Sequence, residues 1–185
     1  MRIACLLIVL AGCTTNSAAP NFEGRDWPQF GADVWQFDIG VAEAGPSSEA
    51  SYLVSPQEFE DFQLSIEFWI EDETNSGIFV RCRAPEEIAD INPDSCYEVN
   101  IWDNHPVQEF RTGSIVKHVI PAAEVHTLGK WNMLVVRAFG ETIEVSVNDV
   151  ATATLHNAQR RSGFIALQYA GKNRLRFRDL TITTN

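Results

Sequence analysis

Apolar and polar residues alternate with a period of two along most of this chain, a pattern typical of β-strands that have two different faces. The clearest run is Phe62–Ile70. Its apolar positions are Phe62, Leu64, Ile66, Phe68 and Ile70, and its polar or mixed positions are Gln63, Ser65, Glu67 and Trp69. The run predicts a strand with one face in a hydrophobic core.

Further runs of the same kind are separated by turn residues. They are Val34–Ile39, Ser51–Val54, Asn75–Cys82, Cys96–Asp103, Trp131–Ala138, Thr142–Val147, Gly163–Tyr169 and Arg174–Thr183. Asn148-Asp149 is typical of a hairpin turn, and only Pro121–Val125 indicates a helical turn, weakly. About ten strands with no long repeat favour an all-β fold, a two-sheet antiparallel β-sandwich of the jelly-roll type, over a propeller or solenoid.

One predicted strand carries unusual chemistry on its polar side. In the run after Cys96, Tyr97, Val99 and Ile101 point one way, whereas the other side presents Glu98, Asn100 and Trp102. An acid, an amide and an indole on one sheet face suit a sugar better than bulk water. We therefore expect these side chains on the open face of a sheet, with Leu64, Ile66, Val99 and Ile101 in the core.

The N-terminal residues indicate export. A short apolar run, Ile3–Leu10, follows Met1-Arg2, and Leu10-Ala11-Gly12-Cys13 resembles a bacterial lipobox. This resemblance implies a signal peptide over residues 1–12, lipid on Cys13, a tether over 13–24 and one domain over 25–185. The expected location is the cell envelope, as an exported bacterial lipoprotein; the alternative is an ordinary secretory signal cut near Ala18-Ala19.

Charge and cysteines narrow the picture further. A formal net charge of −11 argues against nucleic acid and against docking on anionic lipid headgroups, so the only membrane contact expected is through the lipid anchor. Of four cysteines, Cys5 and Cys13 lie in the N-terminal segment. The remaining two, Cys82 and Cys96, are expected to form a disulfide in an oxidising compartment.

Motifs in order along the chain resemble the 3-keto-disaccharide hydrolase domain family. They are residues 62–68, 75–81, 97–103, 112–115, 129–132, 147–150, 163–168 and 177–180. The resemblance implies a concanavalin-like jelly roll and cleavage of glycosidic bonds in sugars first oxidised to a ketone at C3. A C3 ketone acidifies the proton on C2, so a base can remove it and expel the group on C1, after which water adds to the double bond.

This chemistry calls for a base near C2, a stabiliser for the C3 enolate oxygen and an acid for the leaving group. Strand parity and the family motifs give the candidates. The catalytic ones are Glu98, Glu67 and Arg81, and the substrate-binding ones are Asn100, Trp102, Trp69, Gln168, Arg178 and His105. We expect Glu67 and Glu98 to lie close together.

Alternatives to this assignment stay open. No cofactor is assigned, and a divalent cation such as calcium stays an open alternative. Asp103 is expected in a turn or cap, with a calcium ligand as its other role. Gln168-Tyr169-Ala170-Gly171 lacks an Asp-His pair that the family tends to carry there. A non-catalytic carbohydrate-binding module of the same fold is therefore the main alternative function, and a structural envelope lipoprotein is the third.

Overall fold

A computed structural model describes residues 22–184. Their regular structure is almost entirely strand, with short 3₁₀ turns at Glu23–Asp26, Ile88–Asp90 and Gln108–Phe110. The strands are β1 (Gln29–Gly31), β2 (Trp35–Asp38), β3 (Val41–Ala44), β4 (Ser47–Val54), β5 (Phe62–Ile70), β6 (Thr74–Cys82), β7 (Tyr97–Ile101), β8 (Asn132–Phe139), β9 (Thr142–Val147), β10 (Val150–Leu155), β11 (Phe164–Gly171) and β12 (Leu175–Thr184).

The strands form two antiparallel sheets. One has five strands in the order β1-β4-β11-β6-β7, and the other has seven in the order β10-β9-β8-β5-β12-β3-β2. Several neighbours come from distant parts of the chain, such as β4 beside β11 and β5 beside β12, as in a jelly roll. The predicted two-sheet β-sandwich is confirmed.

The core lies between the sheets and follows the alternation in the sequence. Along β5 the exposure alternates strictly between buried and half-buried residues. Leu64 and Ile66 from β5 belong to the same core cluster as Val99 and Ile101 from β7, and all four are fully buried. The predicted core residues are confirmed.

The sequence missed three strands, β1, β3 and β10. The first two are short, and β3 (Val41–Ala44) carries alanines where larger apolar residues usually reveal a strand. The prediction of a weak helical turn at Pro121–Val125 is wrong, because that segment is irregular. Within residues 22–184, no helix is long and apolar enough to cross a membrane.

The N-terminal boundary also differs from the expectation. The expected signal peptide, the expected lipidation site Cys13 and most of the expected tether lie outside the described residues. Phe22 and Gly24, however, are buried, and the ring of Phe22 lies 6.3 Å from that of Phe37. The last residues assigned to the tether therefore belong to the domain.

The disulfide between Cys82 and Cys96 is present, with the two Cα atoms 4.1 Å apart. It joins the end of β6 to the start of β7 and closes the loop between them. Ile91 from this loop packs with Tyr52, Val54 and Phe79 on the outer face of the five-stranded sheet. By the chain-entropy model a closed loop of this size contributes about 3 kcal/mol to stability. The bond thus holds the loop over one end of that face.

Candidate functional site

The candidate site lies on the outer face of the five-stranded sheet, where polar residues from β4, β11 and β7 lie around Gly77 of β6. The register aligns Gln168 of β11 with Tyr52 of β4 on one side and with Gly77 of β6 on the other. Gly77 in turn aligns with Asn100 of β7. In the adjacent row Phe79 aligns with Glu98. Strand pairing therefore brings together four side chains from distant parts of the chain: Tyr52, Gln168, Asn100 and Glu98.

Glu98 is the chemically unusual member of this group. Its side chain is only 8% exposed. Burial raises its pKa to about 7, because desolvation disfavours the carboxylate, and the nearby positive charge of Lys117 opposes this shift. A carboxyl group that titrates near neutral pH can both accept and return a proton under physiological conditions.

The amide side chains beside Glu98 each hold one free acceptor. Gln168 Nε2 donates to the hydroxyl of Tyr52 at 3.0 Å, and Asn100 Nδ2 donates to the carbonyl of Phe110. The other atoms of the two amides, Gln168 Oε1 and Asn100 Oδ1, are buried without a partner in residues 22–184. Buried polar atoms in native proteins nearly always have partners. Two such acceptors on one face indicate a place for hydroxyl donors of a ligand.

Gly77 leaves a gap in the middle of the row. A Cβ built at this position would lie 3.5 Å from Gln168 Oε1, 3.5 Å from Glu98 Cγ and 3.1 Å from the carbonyl oxygen of Val99. A side chain here would occupy the space between the free amide oxygen and the acid. The glycine therefore keeps the face open where the polar groups meet.

The face changes character along the strands. At one end, the disulfide-bonded loop covers it through Ile91. At the other end an open depression of about 420 Å³ is lined by Asn75, Trp102, Ala170 and neighbouring residues. Trp102 follows Glu98 by four positions on β7 and its extension, a span of about 13 Å at strand spacing. The polar row thus continues into an open aromatic-lined end.

His105 and Asp103 shape the loop beside Trp102. The His105 ring packs edge-on against the rings of Trp102, at 4.5 Å, and Phe110, at 4.8 Å. The Asp103 carboxylate accepts from the hydroxyls of Thr112 and Thr127, at 2.6 and 2.7 Å, and from the Thr127 backbone N–H. Asp103 therefore ties two loop segments together, in keeping with the turn or cap role predicted for it.

Within the described part of the chain, no group of three or more histidine, cysteine, aspartate or glutamate side chains is placed to hold a metal ion.

Three of the candidates lie on the other sheet, so the expected closeness of Glu67 and Glu98 is wrong. Glu67 on β5 pairs with Arg178 on β12, and the Arg178 guanidinium lies 4.1 Å from the centre of the Trp131 ring. In the next row Arg176 lies over Trp69 and binds Glu43. Glu67, Trp69 and Arg178 therefore belong to a ladder of ion pairs and cation–π contacts on the outer face of the seven-stranded sheet.

Arg81 does not join Glu98 either, although its strand lies next to β7. The residue has φ of 52° and lies at a β-bulge, where β6 has one residue more than β11 between paired positions. Its guanidinium is fully buried and donates to the carbonyls of Glu60, Gly140 and Arg160 at 2.8 to 3.0 Å. Those donors are directed at loops of the sandwich edge, so Arg81 has a structural role here.

The profile of the 3-keto-disaccharide hydrolase family, described as the 3-keto-alpha-glucoside-1,2-lyase-like domain, matches residues 18–183. The chain belongs to this family. The predicted family resemblance is therefore confirmed. No curated protein matches the chain.

Three solved structures with the same fold are described as carbohydrate-acting or carbohydrate-binding proteins. A provisionally assigned glycosyl hydrolase from Parabacteroides distasonis has a TM-score of 0.71 at 23% identity, covering 82% of this chain and 90% of its own. A second protein of that description from the same organism has a TM-score of 0.70 at 19% identity, with 88% and 91% covered. The carbohydrate-binding module CBM66 from Bacillus subtilis has a TM-score of 0.59 at 14% identity, with 84% and 95% covered. These likenesses establish the fold.

Sequence reasoning missed three residues of the site in this family member: Tyr52, Gly77 and Asn75. Tyr52 lies in a run that was predicted as a strand, but only the register with Gln168 shows which face it shares. Gly77 and Asn75 lie in the family motif at residues 75–81, where they alternate with Ser76 and Ile78, which are buried on the core side. That alternation is the sequence signal from which their position on the outer face could have been predicted.

Substituting Gly77 tests whether the gap is used. If a glycoside is processed on this face, we expect Gly77→Ala to lower kcat/KM by between about 10- and 100-fold, because the new methyl group would displace ligand atoms from the acid. A strand conformation favours alanine over glycine by about 0.5 to 1 kcal/mol, whereas the 3.1 Å approach of the new Cβ to the Val99 carbonyl oxygen requires a small shift of that backbone. Urea unfolding measured beside the kinetics separates a change in stability from a change in turnover. Gly45→Ala is the matched control, since a Cβ at Gly45 meets nothing within 4 Å. Equal kinetics for both variants would contradict a ligand over Gly77.

The raised pKa of Glu98 also has a consequence for stability. Between pH 4.5 and about 7 the folded state holds a proton that the unfolded state releases, so stability falls as pH rises through this range. Glu98→Gln removes the buried charge and should raise the free energy of unfolding at pH 8 by up to about 3 kcal/mol. At pH 4 the variant and the parent should be equally stable. Urea unfolding at both pH values, with the exposed Glu144→Gln as control, checks this expectation; a variant less stable at pH 8 would contradict it.

Proposed function

We propose that the outer face of the five-stranded sheet binds a 3-keto-glycoside and cleaves its glycosidic bond, with Glu98 as the acid–base group. The observation that carries the proposal is a buried carboxyl group of pKa about 7 beside two buried amide oxygens that have no partner. A solvated surface carboxylate would have neither property. Membership in the 3-keto-alpha-glucoside-1,2-lyase-like family supports the choice of substrate class.

Binding would use the free acceptors and the open end of the face. Sugar hydroxyls can donate to Gln168 Oε1 and Asn100 Oδ1, which lie on either side of the Gly77 gap. The Trp102 indole can stack on the apolar face of a second pyranose ring, and the Asn75 amide lies in the same depression. The face therefore suits a glycoside of at least two units, with the bond to be cleaved near Glu98.

The reaction begins with proton removal. The Glu98 carboxylate takes the proton from C2, and the electron pair of that C–H bond moves onto the C3 oxygen as an enolate. The enolate then collapses, a double bond forms between C1 and C2, and the bond from C1 to the leaving oxygen breaks. Glu98, now neutral, returns its proton to the leaving oxygen. Addition of water places a hydroxyl on C1 and a proton on C2, so the net result is hydrolysis.

Tyr52 is suited to stabilise the enolate oxygen. Its hydroxyl accepts from Gln168 Nε2, which leaves its own proton available to a ligand. Burial raises the pKa of Tyr52; the Gln168 hydrogen bond opposes this shift, and the charge of Glu98 adds to it. The hydroxyl therefore keeps its proton and stays a hydrogen-bond donor. A donor fixed before the reaction is most valuable where negative charge develops. We assign Tyr52 this role in place of Arg81.

Turnover on a matched pair of sugars tests the function. The unmutated protein should cleave a 3-keto-disaccharide and leave the parent disaccharide intact, because only the ketone acidifies the C2 proton. The products are followed by chromatography, and the affinity for both sugars by calorimetry. Equal cleavage of the two sugars would overturn the elimination mechanism.

The second candidate is a carbohydrate-binding module of the same fold. One observation favours it: the arginine expected to stabilise an enolate, Arg81, is bound to three backbone carbonyls away from Glu98. This reading predicts calorimetric binding of the sugars with no turnover of either. The two experiments above therefore separate an enzyme from a binding module.

We also propose that the protein is anchored to the cell envelope through lipid on Cys13. The support is the lipobox-like sequence Leu10-Ala11-Gly12-Cys13. Cells fed a fatty-acid analogue should label the parent protein and leave Cys13→Ala unlabelled. Label on both proteins would contradict the assignment.

A further inference from the structure

A second depression lies at the edge of the five-stranded sheet, outside the row around Glu98. It has a volume of about 490 Å³ and lies between β7, the segment after Ile115 and the segment that follows β10. Its wall includes Tyr97, whose side chain points to the opposite side of the strand from Glu98. The proposed sugar-cleaving reaction uses none of the groups that line it.

The lining is basic on a protein whose net charge is −11. Lys117, His118, His156 and Arg160 all contribute side chains to it. Among the described lining residues Asp94 is the one acid; it is bound to Lys117 at 2.8 Å and is largely exposed. Lys117 and Arg160 against Asp94 leave one net positive charge in this lining, and positive charge lining a depression of an acidic protein attracts anions.

Arg160 is held in place by several contacts. Its guanidinium lies 4.5 Å from the centre of the Tyr97 ring and donates to the carbonyls of Asp94 and Cys96 at 3.2 and 2.7 Å. Its backbone N–H donates to the Tyr97 hydroxyl at 3.1 Å. The Nε atom is buried and has no acceptor within residues 22–184. A fixed cation with an unused donor is a preorganised element of a binding site.

The histidine next to Lys117 experiences this positive field. The His118 ring lies 5.2 Å from the Tyr97 ring, on which Arg160 also lies. Desolvation lowers the pKa of His118, and the charges of Arg160 and Lys117 lower it further. The cationic groups therefore act on one common space.

We propose that this depression, lined by Lys117, His118, His156 and Arg160, is a binding site for an oxyanion group, either inorganic phosphate or the carboxylate of an acidic sugar. Lysine and histidine supply single donors that can approach different oxygens, and Arg160 supplies a fixed charge beside them. The proposal is independent of the sugar-cleaving reaction, because it concerns a different cavity and does not use Glu98.

The test measures binding of three probes to the folded protein: inorganic phosphate, glucuronate and glucose. We expect phosphate or glucuronate to shift the NMR signals of the His118 and His156 imidazoles, and glucose to leave them unchanged. The double substitution Lys117→Gln, His156→Gln removes two exposed side chains without touching Arg160, so the fold is retained. It should weaken binding of the anion about tenfold or more, the effect expected for losing a charged hydrogen bond.

Lys130→Gln is the control, because it removes the same charge from an exposed lysine outside the depression. Binding of both anions, or of glucuronate alone, or of phosphate alone, supports an oxyanion site and identifies its source. The proposal is overturned if neither anion shifts the imidazole signals up to its solubility limit. It is also overturned if glucose produces the same shifts, or if Lys130→Gln weakens binding as much as the double substitution.

Discussion

Replacing Glu98 with glutamine is expected to slow cleavage of a 3-keto-glycoside by about 10²- to 10⁴-fold, the usual cost of losing a general base. Glutamine preserves the shape of the side chain and its place beside Asn100 and Gln168, so the affinity for the keto sugar should change far less than the rate. Single-turnover kinetics and calorimetry on the two proteins measure the two quantities separately.

The same experiment has a pH signature. Glu98 must be ionised to remove the C2 proton, and its pKa is about 7. The rate of the unmutated protein should therefore rise with pH through the neutral range. Any residual rate of Glu98→Gln should not show this rising limb of the pH–rate profile. A surface carboxylate of ordinary pKa would place the limb near pH 4.

Glu67→Gln provides the discriminating comparison. Strand parity gave Glu67 and Glu98 the same status in the sequence, but Glu67 pairs with Arg178 on the other sheet. Its substitution should leave turnover unchanged. Comparable losses for the two variants, or a Glu98→Gln protein as fast as its parent, would refute the assignment of Glu98 as the base.

The local features of this fold could be predicted because they depend on alternation alone. Each residue of β5 shows the exposure that its position in the run Phe62–Ile70 predicts. The polar side of β7 likewise carries Glu98 and Asn100 on the outer face, next to Gly77 and Phe79 of β6. Two cysteines, one at each end of the same loop, sufficed to predict the disulfide.

Sheet membership could not be predicted in this way. Both Glu67 and Glu98 are on non-core faces, as expected, but a sandwich has two outer faces. Which one a strand contributes to depends on pairings such as β5 with β12 and β6 with β11, which join segments about a hundred residues apart. No local pattern encodes those pairings, so the sequence placed the two acids together although the fold separates them.

Tyr52 also shows that the local sequence does not reveal cross-strand pairing, because here it led us to overlook a residue of the site. Its own strand segment offers little that marks the residue as functional, because a tyrosine among apolar neighbours usually belongs to the core. Its role follows from the cross-strand alignment with Gln168, more than a hundred residues later in the chain. The sequence therefore predicts which side chains of one strand share a face. Which residues of different strands lie together depends on how the strands align in the sheet.

The prediction for Arg81 was wrong for a different reason, which is a local irregularity of its strand. Strict alternation would have placed its side chain on the same face as Gly77 and Phe79. The bulge at this position, with its positive φ, turns the side chain toward the edge of the sandwich. An arginine at a strand end gives no sequence signal of a bulge.

The structural role of Arg81 predicts a large loss of stability when the guanidinium is removed. We expect Arg81→Met to lower the free energy of unfolding by about 3 to 5 kcal/mol, because each buried acceptor left without a donor costs about 1 to 3 kcal/mol. Three backbone carbonyls, those of Glu60, Gly140 and Arg160, would lose their donor at once. Arg81→Lys should recover part of this loss, because a lysine keeps the charge but cannot reach three carbonyls in the fixed geometry of a guanidinium. Urea unfolding of the variants gives the values.

Kinetics distinguish this role from the catalytic one that the sequence suggested. At a temperature where Arg81→Met is still folded, its turnover per folded molecule should match that of the parent, because the guanidinium is directed away from Glu98. Arg137→Met is the matched control: Arg137 is exposed and donates to the Gln63 side chain, so its loss should cost little stability. If instead Arg81→Met stays as stable as the parent and loses its activity, Arg81 reaches the substrate in a conformation different from the one described, and the enolate role passes back to it from Tyr52.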